Sequence, residues 1–297
     1  MNILNFGSIN LDYVYNVPHL VQAGETVAAT RYACYPGGKG FNQSVALGRA
    51  GATVFHAGAI GTDGIWLRSY LASAGVDITH VQRKDGTTGQ AFIQVDNATG
   101  QNAIVTEGGT NRMITEKDIK DILAQYGAAT VLLLQNEVSC IPDILRLAKE
   151  RKMFIVFNPA PMTPEVLTYP LEAVDMFIVN ELEGAGLAGL PADTPPEQIL
   201  SALRERFPTP LLLITLGAQG SMCLERGEAT PIFVPAKEAA AVDTTAAGDC
   251  YIGYFLAAYS TGKPVRESME LATAASAVCV TRRGAAISIP KHDEVVL

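Results

Sequence analysis

Phe41-Asn42-Gln43-Ser44-Val45-Ala46-Leu47-Gly48-Arg49-Ala50-Gly51-Ala52-Thr53-Val54-Phe55-His56-Ala57-Gly58-Ala59-Ile60 is the stretch that decides the fold class. Its first half, Phe41 to Ala50, reads as a helix stopped by Gly51, because glycine takes the left-handed conformation past a helix end without a Cβ penalty. Its second half, Thr53 to Ile60, is apolar and β-rich and reads as a buried strand. Upstream, Asn2 to Ile9 supplies a strand before the helix, and Ser8-Ile9-Asn10-Leu11-Asp12 is its expected end. Downstream, Gly64 to Ala74 is a second helix closed by Gly75. Thr115 can cap a helix with Asp118 at the capping-box position and Ile119, Ile122, Leu123 and Tyr126 on one face. Val131 to Leu134, Phe154 to Phe157, Phe177 to Val179 and Leu211 to Leu216 continue as strands, and helical patterns over 248–260 and 264–281 follow. This alternation predicts an α/β fold of three layers, a mainly parallel sheet with helices on both faces.

One segment breaks the pattern. Thr88 to Val105 carries β-type residues interrupted by the turn Asp96-Asn97-Ala98-Thr99-Gly100, so it reads as a hairpin. A second, small sheet is expected, joined by residues 12–17 and 27–35. With no internal repeat and no linker-like stretch, the reading is one domain over 1–297 with a β appendage from segments near 12–35 and 88–107.

The 297 residues are 48% hydrophobic and 18% charged, which excludes a disordered or low-complexity chain. A net charge of −8 argues against nucleic acid or anionic membrane as a partner, so an anionic ligand requires a local site. The cysteines at 34, 140, 223, 250 and 279 include no Cys-x-x-Cys pair, which points to a reducing, cytoplasmic setting. Met1 to Ile9 lacks the basic region of a signal peptide, and no run reaches the roughly 18 apolar residues of a membrane span. The histidines at 19, 56, 80 and 292 show no metal-ligand spacing, and no Gly-x-Ser-x-Gly elbow is present.

Two segments point to chemistry. In Val242-Asp243-Thr244-Thr245-Ala246-Ala247-Gly248-Asp249, small residues lead into an apolar helix. Such a start exposes backbone N–H groups at the positive end of the helix dipole, an anion site where a phosphoryl group fits. Asp249 in the first turn can then take a proton from an attacking hydroxyl, although an acidic helix cap with alanines chosen for packing gives the same letters. Pro36-Gly37-Gly38-Lys39-Gly40-Phe41-Asn42-Gln43 places Lys39 and Asn42, donors suited to sugar hydroxyls, behind three glycines. It also reads simply as a turn and helix start, and it is neither a P-loop nor Gly-x-Gly-x-x-Gly. Asn10, Asp12, Glu137, Asn180 and Glu183 fall at or past strand ends, where open α/β sheets bind ligands. Each alone suits a solvated loop or cap; their recurrence at one sheet edge suits a site.

Taken in order, these segments resemble the ribokinase-like (PfkB-type) carbohydrate kinase family over essentially the whole chain. Gly37-Gly38-Lys39-Gly40-x-Asn42 is similar to its N-terminal signature and Asp243-Thr244-x-Ala246-Ala247-Gly248-Asp249 to its C-terminal one. Asn158-Pro159-Ala160-Pro161, Asn180-Glu181-x-Glu183, Thr215-Leu216-Gly217-x-x-Gly220 and Thr281-Arg282-x-Gly284-Ala285 add detail. The resemblance implies an αβα sandwich with a β lid, dimerisation through that lid, and ATP-dependent phosphorylation of a primary sugar hydroxyl on ribose or a related pentose. It implies Asp249 as base and the amides of Ala246, Ala247 and Gly248 as anion hole. Asn10, Asp12, Gly38, Lys39, Asn42 and Glu137 would hold the sugar, with Asp249 also touching it. Asn180, Thr215, Leu216, Gly217, Ala218, Gln219, Gly220, Gly248 and Thr273 would bind ATP. Glu183 would organise Mg2+ through water, and Asp243, Thr245, Cys279, Arg282, Gly284 and Ser288 match the positions around an activating K+. Phe41 and Asn136 depart from the pattern beside the sugar contacts, where a ring or an extra amide is expected to bear on which sugar enters. A nucleoside kinase, a kinase of a modified hexose and a non-catalytic sugar-binding regulator are the competing readings.

Overall fold

The computed structural model describes residues 1–296. The chain runs β1 (Asn2–Phe6), β2 (Asn10–Val17), β3 (Arg31–Gly37), α1 (Lys39–Arg49), β4 (Val54–Ile60), α2 (Ile65–Ser73), β5 (Val76–Arg83), β6 (Gly89–Asp96) and β7 (Asn102–Glu107). It continues through α3 (Glu116–Leu123), β8 (Thr130–Gln135), α4 (Ile141–Glu150), β9 (Phe154–Asn158), β10 (Met176–Asn180), α5 (Glu181–Ala188) and α6 (Pro196–Arg206). The last elements are β11 (Leu211–Thr215), β12 (Gly220–Leu224), β13 (Ile232–Pro235), α7 (Ala247–Tyr259) and α8 (Val265–Cys279).

Nine strands form the main sheet in the order β13-β12-β11-β10-β9-β8-β1-β4-β5. All neighbours from β11 to β5 are parallel, while β12 and β13 extend the sheet antiparallel. Strand alternation divides the core in two. Ile3, Val131, Leu133, Val156 and Ile178 face the layer of α1, α2, α7 and α8. Leu4, Phe6, Leu132, Ile155 and Phe177 face α3, α4, α5 and α6. Both faces are therefore dry, which is why these strands read as continuous apolar runs. Full burial of each large side chain is worth about 1.5–3 kcal/mol.

The predicted small sheet exists, with order β3-β2-β6-β7. β2 pairs antiparallel with β3 and parallel with β6, which pairs antiparallel with β7. One expectation is corrected here: β1 stops at Phe6, and Asn10 and Asp12 belong to β2 of the small sheet instead of ending the first strand. Between them Ile9 hydrogen-bonds the Asn111 side chain, which accepts from Ile9 N at 3.0 Å and donates to Ile9 O at 3.2 Å. That side chain stands in for a neighbouring strand, so the chain passes from one sheet to the other without a loop signal.

One packing contact places the site. A Cβ at Gly253 would lie 2.3 Å from Ala46 Cβ, so α7 lies against α1 at a distance only glycine permits. One turn earlier on each helix stand Asp249 and Asn42.

Candidate active site

The segment entering α7 is tied to the far end of α8. Val242 N and Asp243 N donate to Val280 O at 2.8 and 3.1 Å. Asp243 accepts from Thr245 N and Gly284 N, both at 2.9 Å, which fixes the turn. Ala246, the N-cap residue, has φ 60° and no capping side chain. A left-handed alanine costs about 1–2 kcal/mol, strain of the kind that accumulates at functional sites. The first-turn N–H groups of α7 have no intrahelical acceptors and sit at the positive end of the dipole.

Asp249 is the third residue of that helix, yet it does not turn back to cap it. Asn42 Nδ2 donates to Asp249 Oδ2 at 3.0 Å and Gln43 Nε2 donates to Oδ1 at 2.9 Å. The carboxylate thus faces a cavity of about 150 Å³ lined by Lys39, Asn180, Glu183, Thr215, Ala246 and Gly248. Burial raises the Asp249 pKa above the usual carboxylate range against the pull of Lys39, Gln43 and Asn42. Burial opposes the Lys39 ammonium, but Asp249, Glu137, Glu183 and Asp12 outweigh it and hold its pKa above normal. Lys39 therefore remains the one cation amid four carboxylates.

Beyond Asp249 toward the small sheet, a second cavity of about 580 Å³ lies between Asp12, Tyr35 and Arg31 on one side and Asp243, Thr245 and Arg283 on the other. Asp12 is pushed up to about 7, first by burial, then by Glu137 and Asp249, with Lys39 pulling it down. Glu137 accepts from Lys39 N at 3.0 Å and from the Ser8 hydroxyl, and burial raises its pKa. Asn10 Oδ1 accepts from Asn111 Nδ2 at 2.8 Å. Gly38 is the N-cap residue of α1, with φ 91°.

On the opposite side of the α7 start a third cavity, about 890 Å³, is lined mostly by alanine and glycine. Gly217, Ala218, Gly220 and Thr273 border it, while Leu216 points into the core and Gln219 engages through its backbone to Leu216 and Ala236. The expected nucleotide residues thus divide into lining groups and two that only shape the turn. Asn180 caps α5 by accepting from Glu183 N at 2.8 Å, and Glu183 reciprocates to Asn180 N at 3.0 Å.

The residues for ions separate likewise. Both Glu183 oxygens already accept from Asn180, with Asn158 also donating at 3.2 Å, so Glu183 suits a hydrated magnesium ion held through water more than direct ligation. Among the described residues no three His, Cys, Asp or Glu converge as a metal site. Asp243 binds the Thr245 and Gly284 amides, and separately Cys279 Sγ lies 3.1 Å from Ser288 Oγ. Arg282 directs its guanidinium away to Glu294 at 2.7 Å, leaving its carbonyl. One carboxylate with hydroxyl and carbonyl oxygens suits a large monovalent cation.

The two expected specificity departures are structural instead. Phe41 is fully buried, packs against Tyr70 at 5.7 Å between α1 and α2, and lines none of the three cavities described. Asn136 is buried as well; its amide donates to Pro161 O at 2.8 Å and accepts from Tyr169 OH at 3.1 Å. Sequence reasoning missed Ser8, Gln43, Asn111, Gln135 and Asn158 as polar parts of the site. Gln43 stood beside Asn42 in the glycine-led segment, Ser8 opened Ser8-Ile9-Asn10-Leu11-Asp12 and Asn158 opened Asn158-Pro159-Ala160-Pro161; nothing local marked Asn111 or Gln135.

The pfkB family carbohydrate kinase profile matches residues 2–292. A ribokinase of Haemophilus influenzae is 34% identical over 98% of this chain and 95% of its own length. The ribokinase of Cryptococcus neoformans var. grubii serotype A, solved with ADP, superposes with a TM-score of 0.86 at 35% identity, over 99% of this chain and 98% of that one. Arabidopsis thaliana ribokinase, solved with ribose and ATP, gives 0.85 at 29% identity, over 98% and 96%.

Proposed function

Because the chain belongs to the pfkB family of carbohydrate kinases, we propose that it transfers the γ-phosphoryl group of ATP to the primary hydroxyl of ribose or a related pentose. The observation that carries this is the Asp249 carboxylate, held by two amides of α1 at the uncapped start of α7 and facing the cavity of about 150 Å³.

Asp12, Lys39, Asn42 and Glu137, with Asn10 and Gly38, hold the sugar so that one hydroxyl points at Asp249. Asn180, Thr215 and the turn over 216–220 hold the nucleotide, with Thr273 at the wall of the large cavity. Asp249 takes the hydroxyl proton as oxygen attacks phosphorus. The amides of Ala246, Ala247 and Gly248 receive the charge on the transferred group. Phosphoryl transfer has a loose transition state, so positioning and charge stabilisation contribute more than proton abstraction. Glu183 and Asn180 would hold, through water, the magnesium ion that neutralises phosphate charge. Asp243, Thr245, Cys279, Arg282, Gly284 and Ser288 would hold a potassium ion that steadies the amide loop electrostatically.

The protein works as a single domain with the small sheet as a lid. Its outer face stacks Tyr13 on Phe92 at 5.4 Å and Tyr15 by Tyr32 at 5.1 Å, with Phe92 exposed, which favours a homodimer through the lid. No helix of the described residues is long and apolar enough to cross a membrane, and a cytoplasmic setting fits five free cysteines. The test is ADP release with ATP across pentoses, hexoses and nucleosides, in K+ and then Na+, with sedimentation for the dimer. Ribose or a related pentose should be the best acceptor, and rates should fall in Na+. If no sugar yields product the kinase assignment fails.

A further inference from the structure

Four amide side chains are buried in an otherwise apolar layer: Asn5 of β1, Gln43 of α1, Gln135 of β8 and Asn158 of β9. Packing alone gives no reason for them, since a buried polar group is costly unless satisfied. They bond to one another, with the Gln135 Oε1 oxygen left over. Gln135 Nε2 donates to Asn5 Oδ1 at 3.0 Å and to Gln43 Oε1 at 2.6 Å. Asn5 Nδ2 donates to Gly40 O and Ser44 Oγ, both at 2.8 Å. Accepting from Gln135 turns the Gln43 amide nitrogen the other way, where it donates to Asp249 Oδ1 at 2.9 Å and Asn158 Oδ1 at 3.2 Å. Asn158 Nδ2 in turn donates to Ile178 O at 2.9 Å and Glu183 Oε2 at 3.2 Å.

We propose that Gln43 is a positioning residue: it sets the rotamer of Asp249 and, through Asn158, holds Glu183 at a fixed place across the phosphoryl cavity. Gln43 lines none of the three cavities and is fully buried, so its effect on them passes through Asp249 and Asn158. With Asn42 on Oδ2 and Gln43 on Oδ1, the carboxylate plane cannot swing, and its remaining lone pairs stay aimed at one spot. The charged and titratable groups facing Asp249 are Lys39, Asp12, Glu137, Glu183 and the Cys250–Cys279 pair, so the local field is set by several elements and Gln43 supplies direction.

The inference rests on Asp249 as the base, and steady-state kinetics of three variants separate the two ideas. Gln43→Met keeps length without donors; kcat should fall about 10- to 100-fold while the sugar KM stays within about threefold. Its acid limb in kcat should also move to higher pH, because the carboxylate loses a donor. If that variant does not fold, Gln43→Leu removes the donor with a smaller side chain, and the same loss is expected. A wild-type kcat in either, or a loss confined to KM with an unmoved acid limb, overturns the positioning role. Asp249→Asn in parallel reports on the base itself: residual full turnover there refutes the base, whereas an inactive Asp249→Asn beside wild-type Gln43 variants refutes only Gln43.

Discussion

Two helices, α5 and α7, begin beside the same cavity, each with an acidic residue at its third position, and they end up opposite in character. At α5, Asn180 caps the Glu183 amide and Glu183 bonds back to the Asn180 amide, so the helix start is closed by its own side chains. At α7 the cap position is an alanine at φ 60°, and Asp249 is drawn off by Asn42 and Gln43. The first arrangement uses its donors for stability, while at the second Ala247 N donates to Thr244 O at 3.2 Å and the start carries no side-chain cap. An Asn cap replaced by alanine loses about 1 kcal/mol, which is the scale of what α7 forgoes. The difference shows that an acidic residue near a helix start is read by what holds it, which the sequence alone left open between a cap and a base.

The comparison is broken most directly by Asp249→Asn. Turnover should fall about 10²–10⁴-fold while sugar affinity by calorimetry changes little; unchanged turnover would return Asp249 to the status of a mere acidic turn residue. Next is Gly248→Ala. A Cβ there meets nothing within 4 Å, so the protein should be no less stable and up to about 1 kcal/mol more so, while the added methyl at the open start lowers kcat about 10²-fold. Melting curves and kinetics should therefore move in opposite senses, and a parallel loss of both would mean the start is structural.

The charges around the open start give a third test. Asp12, at about 7 when folded and 3.8 as its ordinary value, binds its proton more tightly in the native state, so between pH 4 and 7 it makes stability fall as pH rises. Buried His56, pushed down to about 4 from 6.5, stays neutral when folded and makes stability rise with pH over 4 to 6.5. The two oppose each other. Asp12→Asn should leave the histidine uncompensated, making the slope of unfolding free energy more positive by about 1.4 kcal/mol per pH unit in that window. Denaturant titrations at several pH values measure it, and an unchanged slope removes the assigned Asp12 burial. The smallest effect belongs to Thr115→Ala. It opens the capping box of α3, remote from the cavities, and should cost about 1 kcal/mol with kinetics unaltered. A kinetic effect there would erase the distinction between sealed and open starts.

Much of this architecture was legible because periodicity carries it. The helix over Phe41 to Ala50, the strand over Thr53 to Ile60, the Thr115 cap and the hairpin around Asp96 to Gly100 all rest on local letters, and all appear. The passage from β1 to β2 was not legible, because Ile9 is held by Asn111, about a hundred residues away. Nor was the direction of Phe41, which depends on Tyr70 of α2. The amides at 5, 43, 135 and 158 meet only when four elements assemble, so although Gln43 and Asn158 stand in segments that drew attention, nothing local announces that they bond. Asp249 and Lys39 were visible since small residues and glycines surround them; their supports were not.

The Asn111 clasp on Ile9 also ties the small sheet to the main body of the protein at one end. Asn10 and Asp12 sit next to that clasp, whereas Asn16, Arg31 and Asn102 lie at the opposite end of the small sheet. Substitutions at that far end should therefore leave the geometry around Asn10 and Asp12 undisturbed.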